Sequence, residues 1–190
     1  MAETGIDNLD EIIQGCLQKK EKSQEMLYKR FFGYALRVAL VHNRNRDNAL
    51  EIVNDSFVKV FNQIGRYDTS LPFKNWLNKI VINTSIDKFR QECEEGAKRG
   101  KLPDGIDVES VSAAGLRAEW ILPRGATKDK IILYSMGGGY VSGSCSDHRA
   151  LVAKIVKGSG IGMLLAEHRL APEHPYPAAL EDSVSTYQWL

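Results

Sequence analysis

Residues 131–143 read IILYSMGGGYVSG, a short apolar run followed closely by three glycines. An apolar run of this length beside a glycine turn is typical of a buried parallel strand that ends in a loop. Because no side chain blocks the approach, such a loop can direct backbone N–H groups at a developing negative charge. A flexible turn explains the same glycines more simply, so the flanking sequence has to decide between the two.

The segments on either side of this loop alternate between strand and helix patterns. Upstream, VESVS (108–112) and LRAEWIL (116–122) alternate apolar and polar residues, as half-buried strands do. Downstream, the helical stretch SDHRALVAKIVKG (146–158) leads to a second apolar run, IGMLLA (161–166), and a further helix begins near Ala178. This order of strands and helices predicts an α/β fold with a mostly parallel sheet.

The first half of the chain has helical periodicity from Leu9 to about Glu92. It predicts four helices, of which the first covers IIQGCL and the fourth covers FKNWLNKIVINTSIDKFRQ. Ser23 is expected to cap the second helix, and Asn48 with Glu51 forms a capping-box pattern at the start of the third.

The two halves are separated by EEGAKRGKLPDGID (94–107), which is charged, contains glycine and proline, and lacks aromatic residues. Such a composition is typical of a linker. We therefore predict two modules: an all-α helical bundle over residues 1–95 and an α/β domain over residues 96–190, which a resemblance described below makes a partial one.

The composition excludes several classes of protein. The chain has 190 residues, is 43% hydrophobic and 26% charged, and carries a net charge of +1, so no overall field favours a membrane or nucleic acid. No apolar run approaches the roughly 18–20 residues that span a bilayer, and the acidic N-terminus MAETGIDNLDE is unlike a secretory signal. The three cysteines, Cys16, Cys93 and Cys145, are scattered without a C-x-x-C. We therefore expect a cytoplasmic protein with reduced thiols, no metal and no cofactor.

The fourth predicted helix combines cations, amides and aromatic residues. Trp76, Lys79, Asn83, Lys88 and Arg90 lie along it, and Asp87 is the acidic residue among them. Cations can hold phosphates, and amides or aromatic rings can contact or stack on unpaired bases. A solvated basic helix face with core aromatics explains the same pattern without DNA.

Residues from about Asp10 to Gln91 resemble region 2 of an extracytoplasmic-function sigma factor. The segment NALEIVNDSFVKVFNQIGRYD is similar to the polymerase-binding helix of that family, and FKNWLNKIVINTSIDKFR is similar to its promoter-melting and −10-reading segment. The resemblance implies RNA polymerase core, melted −10 promoter DNA and an anti-sigma factor as partners. It assigns polymerase binding to Asp55, Phe57, Lys59 and Val60, and DNA binding to Lys79, Asn83 and Lys88. The residue pattern of the fourth helix adds Trp76 and Arg90 as DNA-binding candidates.

Residues from about Leu102 to Leu190 resemble the N-terminal half of a hormone-sensitive-lipase-type esterase, through LYSMGGGYVSGS, SDHRALVAK and EHRLAPEHPYPAALED. In that family a His-Gly-Gly-Gly loop supplies backbone donors to the tetrahedral oxyanion. Gly137, Gly138 and Gly139 hold the glycine places, and Met136 stands where the histidine is expected. A thioether cannot donate the hydrogen bonds that an imidazole offers, which puts the shape of the oxyanion hole in question.

The family places its nucleophile in Gly-x-Ser-x-Gly, and no serine of this sequence fits that spacing. Ser142 and Ser144 lie in the glycine loop, and Ser159 lies in GSGIG with the glycines misplaced. We therefore assign no catalytic residue. The sequence ends at Leu190, before the fifth strand of the family, so IILYS is expected to form an apolar sheet edge through which the chain can self-associate.

Three functions remain open at this point. The first is a sigma-like module that binds polymerase and promoter DNA, joined to an inactive half esterase. The second is a carboxylic ester hydrolase whose serine is supplied by the missing half. The third is a chimera in which both modules fold without function, joined somewhere between Gln91 and Asp104.

Overall fold

The computed structural model of the chain describes residues 8–43 and 45–190, so most of the N-terminal segment that bears on a secretory signal lies outside the described residues. The chain divides into two compact units, Met1–Lys88 and Phe89–Leu190. The division falls after residue 88, whereas the sequence placed it after residue 95. Among the described residues, no helix has the length and apolar character needed to cross a membrane.

The first unit is helical, and all four predicted helices are present. They are α1 (Leu9–Leu17), α2 (Glu21–His42), α3 (Arg46–Gln63) and α4 (Phe73–Ala97), with a short 3-10 turn at Ile64–Arg66. The last residues of α4, from Phe89 onward, belong to the second unit. The predicted linker therefore begins as helix, because no proline occurs before Pro103 to stop α4.

Two predicted helix starts are wrong. Ser23 lies inside α2, which begins at Glu21 without a side-chain cap. Asn45, not Asn48, caps α3, and its side chain accepts the backbone N–H groups of Asp47 at 2.8 Å and Asn48 at 3.4 Å. Both asparagines suit a cap chemically, but only Asn45 has the extended backbone that a cap requires.

The core of the first unit is built from the apolar stripes of its helices. Phe57 of α3 is 1% exposed, and its ring centroid lies 4.7 Å from that of Tyr28 and 6.0 Å from that of Phe61. Phe73, at the start of α4, packs on Phe31 with 4.7 Å between the ring centroids. These aromatic contacts join α2, α3 and α4, which fixes the outward faces of α3 and α4.

The second unit is a four-stranded sheet with helices. Its elements are β1 (Ile106–Ala113), β2 (Leu116–Pro123), β3 (Ile131–Ser135), α5 (Cys145–Ser159), β4 (Gly162–Ala166) and α6 (Ala178–Trp189). The strand order is β1-β2-β4-β3. The fold class is confirmed, but the sheet is mixed, since only β3 and β4 pair in parallel. A two-residue turn, Ala114–Gly115, joins β1 to β2, and so short a turn connects only antiparallel strands.

Strand β3 lies at one edge of the sheet, as expected. In the part of the chain that the structure describes, it pairs only with β4, and Ile132 is 40% exposed. Strand β4 is buried along its whole length. The glycine loop leaves the carboxyl end of β3 and leads into α5, whose Ser144 and Asp147 form a capping box.

Candidate functional site

The residues assigned to polymerase binding on α3 separate into buried and exposed pairs. Phe57 and Val60 are 1% and 0% exposed, so their side chains shape the helix from the core. Asp55 is exposed, and Lys59 bonds Asp87 of α4 at 2.8 Å. The sequence reasoning missed Val58, which is 59% exposed between them. Val58 lies outside the three-and-four spacing that the buried residues of α3 follow. An apolar residue at such a position has no packing role in the helical core, and this identifies it in the sequence.

The DNA-binding candidates on α4 do not all share one face. Trp76, Lys79 and Asn83 follow a spacing of three and four, which places them on one side of the helix. Lys88 is nine residues beyond Lys79, which at about 100° per residue puts it on the opposite side. There it forms an ion pair with Glu51 of α3 at 2.7 Å.

Partners differ among the residues of that shared face. Lys79 is exposed and has no hydrogen bond or ion pair among the described residues. Asn83 is partly buried, and Trp76 packs on Tyr67 with 5.3 Å between the ring centroids. The side therefore offers an exposed cation beside an anchored indole, a combination that suits a phosphate next to an unpaired base.

Arg90, the remaining DNA-binding candidate, lies in the second unit. Its guanidinium donates to the carbonyl oxygens of Val141 at 2.6 Å and Ala171 at 2.8 Å. It also donates to both carboxylate oxygens of Glu173, at 2.8 and 3.0 Å. These hydrogen bonds from Arg90 lower the pKa of Glu173 to about 2, so the pair is ionised at neutral pH.

The glycine loop is folded back on itself. The backbone N–H groups of Val141 and Ser142 both donate to the carbonyl oxygen of Gly138, each at 3.2 Å. Gly138 has a φ of +127°, and a Cβ there would stand 2.2 Å from the carbonyl oxygen of Ser142, so only glycine fits. Gly137 and Gly139 are exposed beside it.

Met136 lies directly before this loop and is buried among apolar side chains, with 8% of its surface exposed. It therefore anchors the loop by packing only. Beyond the loop, the backbone N–H of Ala171 donates to the carbonyl oxygen of Tyr140 at 2.8 Å. Gly139 and Tyr140 also line a mainly apolar hollow of about 380 Å³, together with Ala171, His174, Tyr176 and Leu180.

The polar groups around the loop do not form a nucleophile and base. His148 bonds its neighbour Asp147, and Ser144 donates to Glu94. Ser142 is buried and donates to the carbonyl oxygen of Gly138 at 3.2 Å. Across residues 8–43 and 45–190, no hydrogen bond joins a serine hydroxyl to a histidine ring.

Burial shifts the pKa values of one histidine and two cysteines. The Nε2 atom of His168 is buried and, among the described residues, has no hydrogen-bond partner; burial lowers the pKa of its imidazole. Burial raises the pKa of the Cys16 thiol to about 11 and that of the Cys145 thiol to about 12, so neither is a thiolate at neutral pH.

An ion pair with a buried carboxylate joins β2 to α5. Glu119 of β2 is 1% exposed and receives hydrogen bonds from Arg149 of α5 at 2.7 and 2.6 Å. The bond to Glu119 raises the pKa of Arg149, against the opposing effect of burial. The sequence reasoning missed this pair, although Glu119 stands between two apolar residues of the run AEWIL and so signals a buried carboxylate.

Family comparisons divide the chain in the same two parts. Residues 25–93 match the family model of sigma-70 region 2, and residues 132–190 match that of the alpha/beta hydrolase fold. The two-part resemblance stated from the sequence is thereby confirmed.

The relatives of the second part are esterases. Esterase LipI of Mycobacterium tuberculosis is 38% identical over 119 residues, which cover 59% of this chain and 37% of the relative. An acetyl-hydrolase of Streptomyces hygroscopicus is 38% identical over 81 residues, which cover 42% of this chain and 26% of the relative. The chain thus spans only about a quarter to two fifths of the length of these relatives.

Solved structures extend the likeness to the fold. A crystal structure of an esterase from the bacterial hormone-sensitive lipase family has 41% identity and a TM-score of 0.52, and covers 55% of this chain and 35% of its own. An esterase/lipase from an uncultured bacterium has 48% identity with the same score and coverage.

Proposed function

We propose that the first unit binds RNA polymerase core and the melted −10 strand of a promoter, and that the second unit does not hydrolyse esters within these 190 residues. The observation that carries the first part is the match of residues 25–93 to sigma-70 region 2. The exposed Lys79 beside Trp76 and Asn83 is the surface that we assign to the DNA. An anti-sigma factor remains a proposed further partner of the same unit.

The proposed DNA contact rests on simple chemistry. A melted strand presents phosphates and unpaired bases together. Lys79 can hold a phosphate, and the amide of Asn83 and the ring of Trp76 can meet a base on the same side of α4. Lys88 contributes less than the sequence suggested, because Glu51 already neutralises part of its charge.

The proposed polymerase contact uses the outward side of α3. Asp55, Val58 and Lys59 lie there, an apolar residue between charged ones. Interface cores favour apolar groups, and charged rims set orientation, so Val58 is the expected contact with charges around it.

Lys79→Met is expected to weaken DNA binding about 3- to 10-fold and to reduce the salt dependence by roughly one phosphate contact. The measurement is fluorescence anisotropy of a labelled, random-sequence single-stranded oligonucleotide, with full-length chain and RNA polymerase core, over a range of salt concentrations. Lys154→Met, an exposed lysine of α5, is the matched control and is expected to change neither value. If the unmodified chain shows no affinity for core polymerase in a pull-down, the first part of the proposal is wrong.

The carboxylic ester hydrolase is the second candidate function, and its esterase relatives favour it. Against it, no Gly-x-Ser-x-Gly occurs in the sequence, and donors to an oxyanion without a nucleophile supply only a small part of the rate enhancement of a complete triad. We expect p-nitrophenyl acetate hydrolysis by the purified chain at the buffer rate, and no covalent adduct with a fluorophosphonate. An adduct mapped by mass spectrometry to a serine between residues 89 and 190 would overturn this expectation.

Two structural proposals accompany the function. The boundary between the modules at residue 95/96 remains a proposal; the two compact units divide after residue 88, within α4, whereas the sigma-70 region 2 match runs to residue 93. Self-association through the open side of β3 remains a proposal. If the chain binds neither polymerase nor DNA and hydrolyses no ester, the non-functional chimera is the remaining hypothesis.

A further inference from the structure

We propose that Arg90 is a positioning residue that holds the glycine loop of the second unit in place, and that it does not contact DNA. Its guanidinium reaches three residues that are distant from it in sequence: Val141, Ala171 and Glu173. The proposal goes beyond the functions proposed above, because it assigns a role to a residue at the end of the sigma-like sequence within the hydrolase-like unit.

The acceptors of Arg90 belong to two loops. Val141 lies in the glycine loop, and Ala171 and Glu173 lie in the proline-rich loop that follows β4. The two loops also meet directly, through the bond from the N–H of Ala171 to the carbonyl oxygen of Tyr140. Arg90 therefore fastens both loops at the point where they meet, beside the hollow that Gly139 and Tyr140 line.

The hydrogen bonds of Arg90 hold the glycine loop, which Met136 cannot do. A thioether donates no hydrogen bond, so the loop must be held by other groups. The Arg90 side chain is 24% exposed and provides charge-assisted bonds from a planar, rigid fork. A lysine at this place keeps the charge but cannot serve two carbonyls and a carboxylate in the same geometry.

The same contacts argue against a role in DNA binding. To reach a phosphate, the guanidinium would have to leave two carbonyl oxygens and the carboxylate of Glu173. Lost charge-assisted bonds of this kind are expensive. Lys79, on the same helix, has no hydrogen bond or ion pair among the described residues and so loses none on binding a phosphate.

The test measures amide hydrogen exchange by NMR on the full-length chain. The reporters are the amides of Val141, Ser142 and Ala171, each of which donates a backbone hydrogen bond in the braced region. In Arg90→Met we expect their exchange to become about tenfold faster or more, with the amides of β4 unchanged within about twofold. Arg90→Lys is expected to restore little of the protection, which a purely electrostatic role would not predict.

Lys79→Met is the reciprocal variant. We expect it to keep normal exchange at the three reporters, whereas Arg90→Met keeps the oligonucleotide affinity of the unmodified chain. Unchanged exchange at the reporters in Arg90→Met, or full protection in Arg90→Lys, overturns the proposal. If Arg90→Met opens β4 as well, Glu173→Gln decides. It weakens the brace without removing the arginine, so faster exchange at the reporters alone supports the proposal, and unchanged exchange refutes it.

Discussion

Arg149→Met is expected to destabilise the second unit by about 3–5 kcal/mol, because it leaves the carboxylate of Glu119 buried without its partner. Glu119 is 1% exposed and receives two hydrogen bonds from the guanidinium. A carboxylate that is 1% exposed is largely shielded from solvent, so water replaces that partner poorly. The measurement is urea unfolding followed by the fluorescence of Trp120 and Trp189, in a background in which Trp76 is replaced by phenylalanine.

Two controls separate the lost ion pair from other effects of the substitution. Lys154→Met changes an exposed cation of the same helix and is expected to shift the free energy of unfolding by less than about 0.5 kcal/mol. The double variant Glu119→Met with Arg149→Met removes both charges and is expected to recover much of the stability. A single variant that stays within about 1 kcal/mol of the unmodified chain would show that Glu119 is not isolated by its burial.

Phe57→Ala is expected to destabilise the first unit by about 3–5 kcal/mol, since it empties a site at the centre of the helical core. Phe57 is 1% exposed and contacts the rings of Tyr28 and Phe61. The loss is measured by urea unfolding with Trp76 as the reporter, after Trp120 and Trp189 have been replaced by phenylalanine. We expect polymerase binding to fall with the fold.

A second pair of variants distinguishes packing from direct contact. Phe57→Leu is apolar and close in size, so it is expected to cost less than about 1.5 kcal/mol and to leave polymerase affinity intact. Val58→Asp lies on the exposed side and is expected to weaken polymerase binding without unfolding the helix. If Phe57→Leu folds normally but loses the polymerase, Phe57 contacts the partner in a conformation other than this one.

The sequence predicted the helices and strands well and their side-chain partners poorly. Periodicity is a local signal, so the apolar stripe of α3 and the runs of β3 and β4 could be recognised directly. The cap of α3 could not, because Asn45 and Asn48 have the same chemistry and differ only in backbone conformation. The mixed sheet could have been predicted from the short turn after Ala113, because so short a turn makes β1 and β2 antiparallel. The strand pattern alone does not carry that information.

The candidate site was harder because its contacts span long stretches of sequence. The partner of Lys88 is Glu51, and the partners of Arg90 lie more than fifty residues away. A list of basic residues on one helix cannot distinguish a lysine in solvent from an arginine already bonded to carbonyls. Lys79 and Arg90 are equally plausible phosphate ligands in the sequence, and only their tertiary contacts distinguish them.

The exposed flank of Ile131–Ser135 has a practical consequence for work with this protein. Among the described residues, nothing hydrogen-bonds that flank, and the self-association proposed above would use the unsatisfied backbone amides next to Ile132. Light scattering is therefore expected to increase more steeply than the amount of protein. Binding measured at micromolar protein concentration would then include self-association as well as partner binding. Titrations at nanomolar protein concentration therefore give the more accurate dissociation constants.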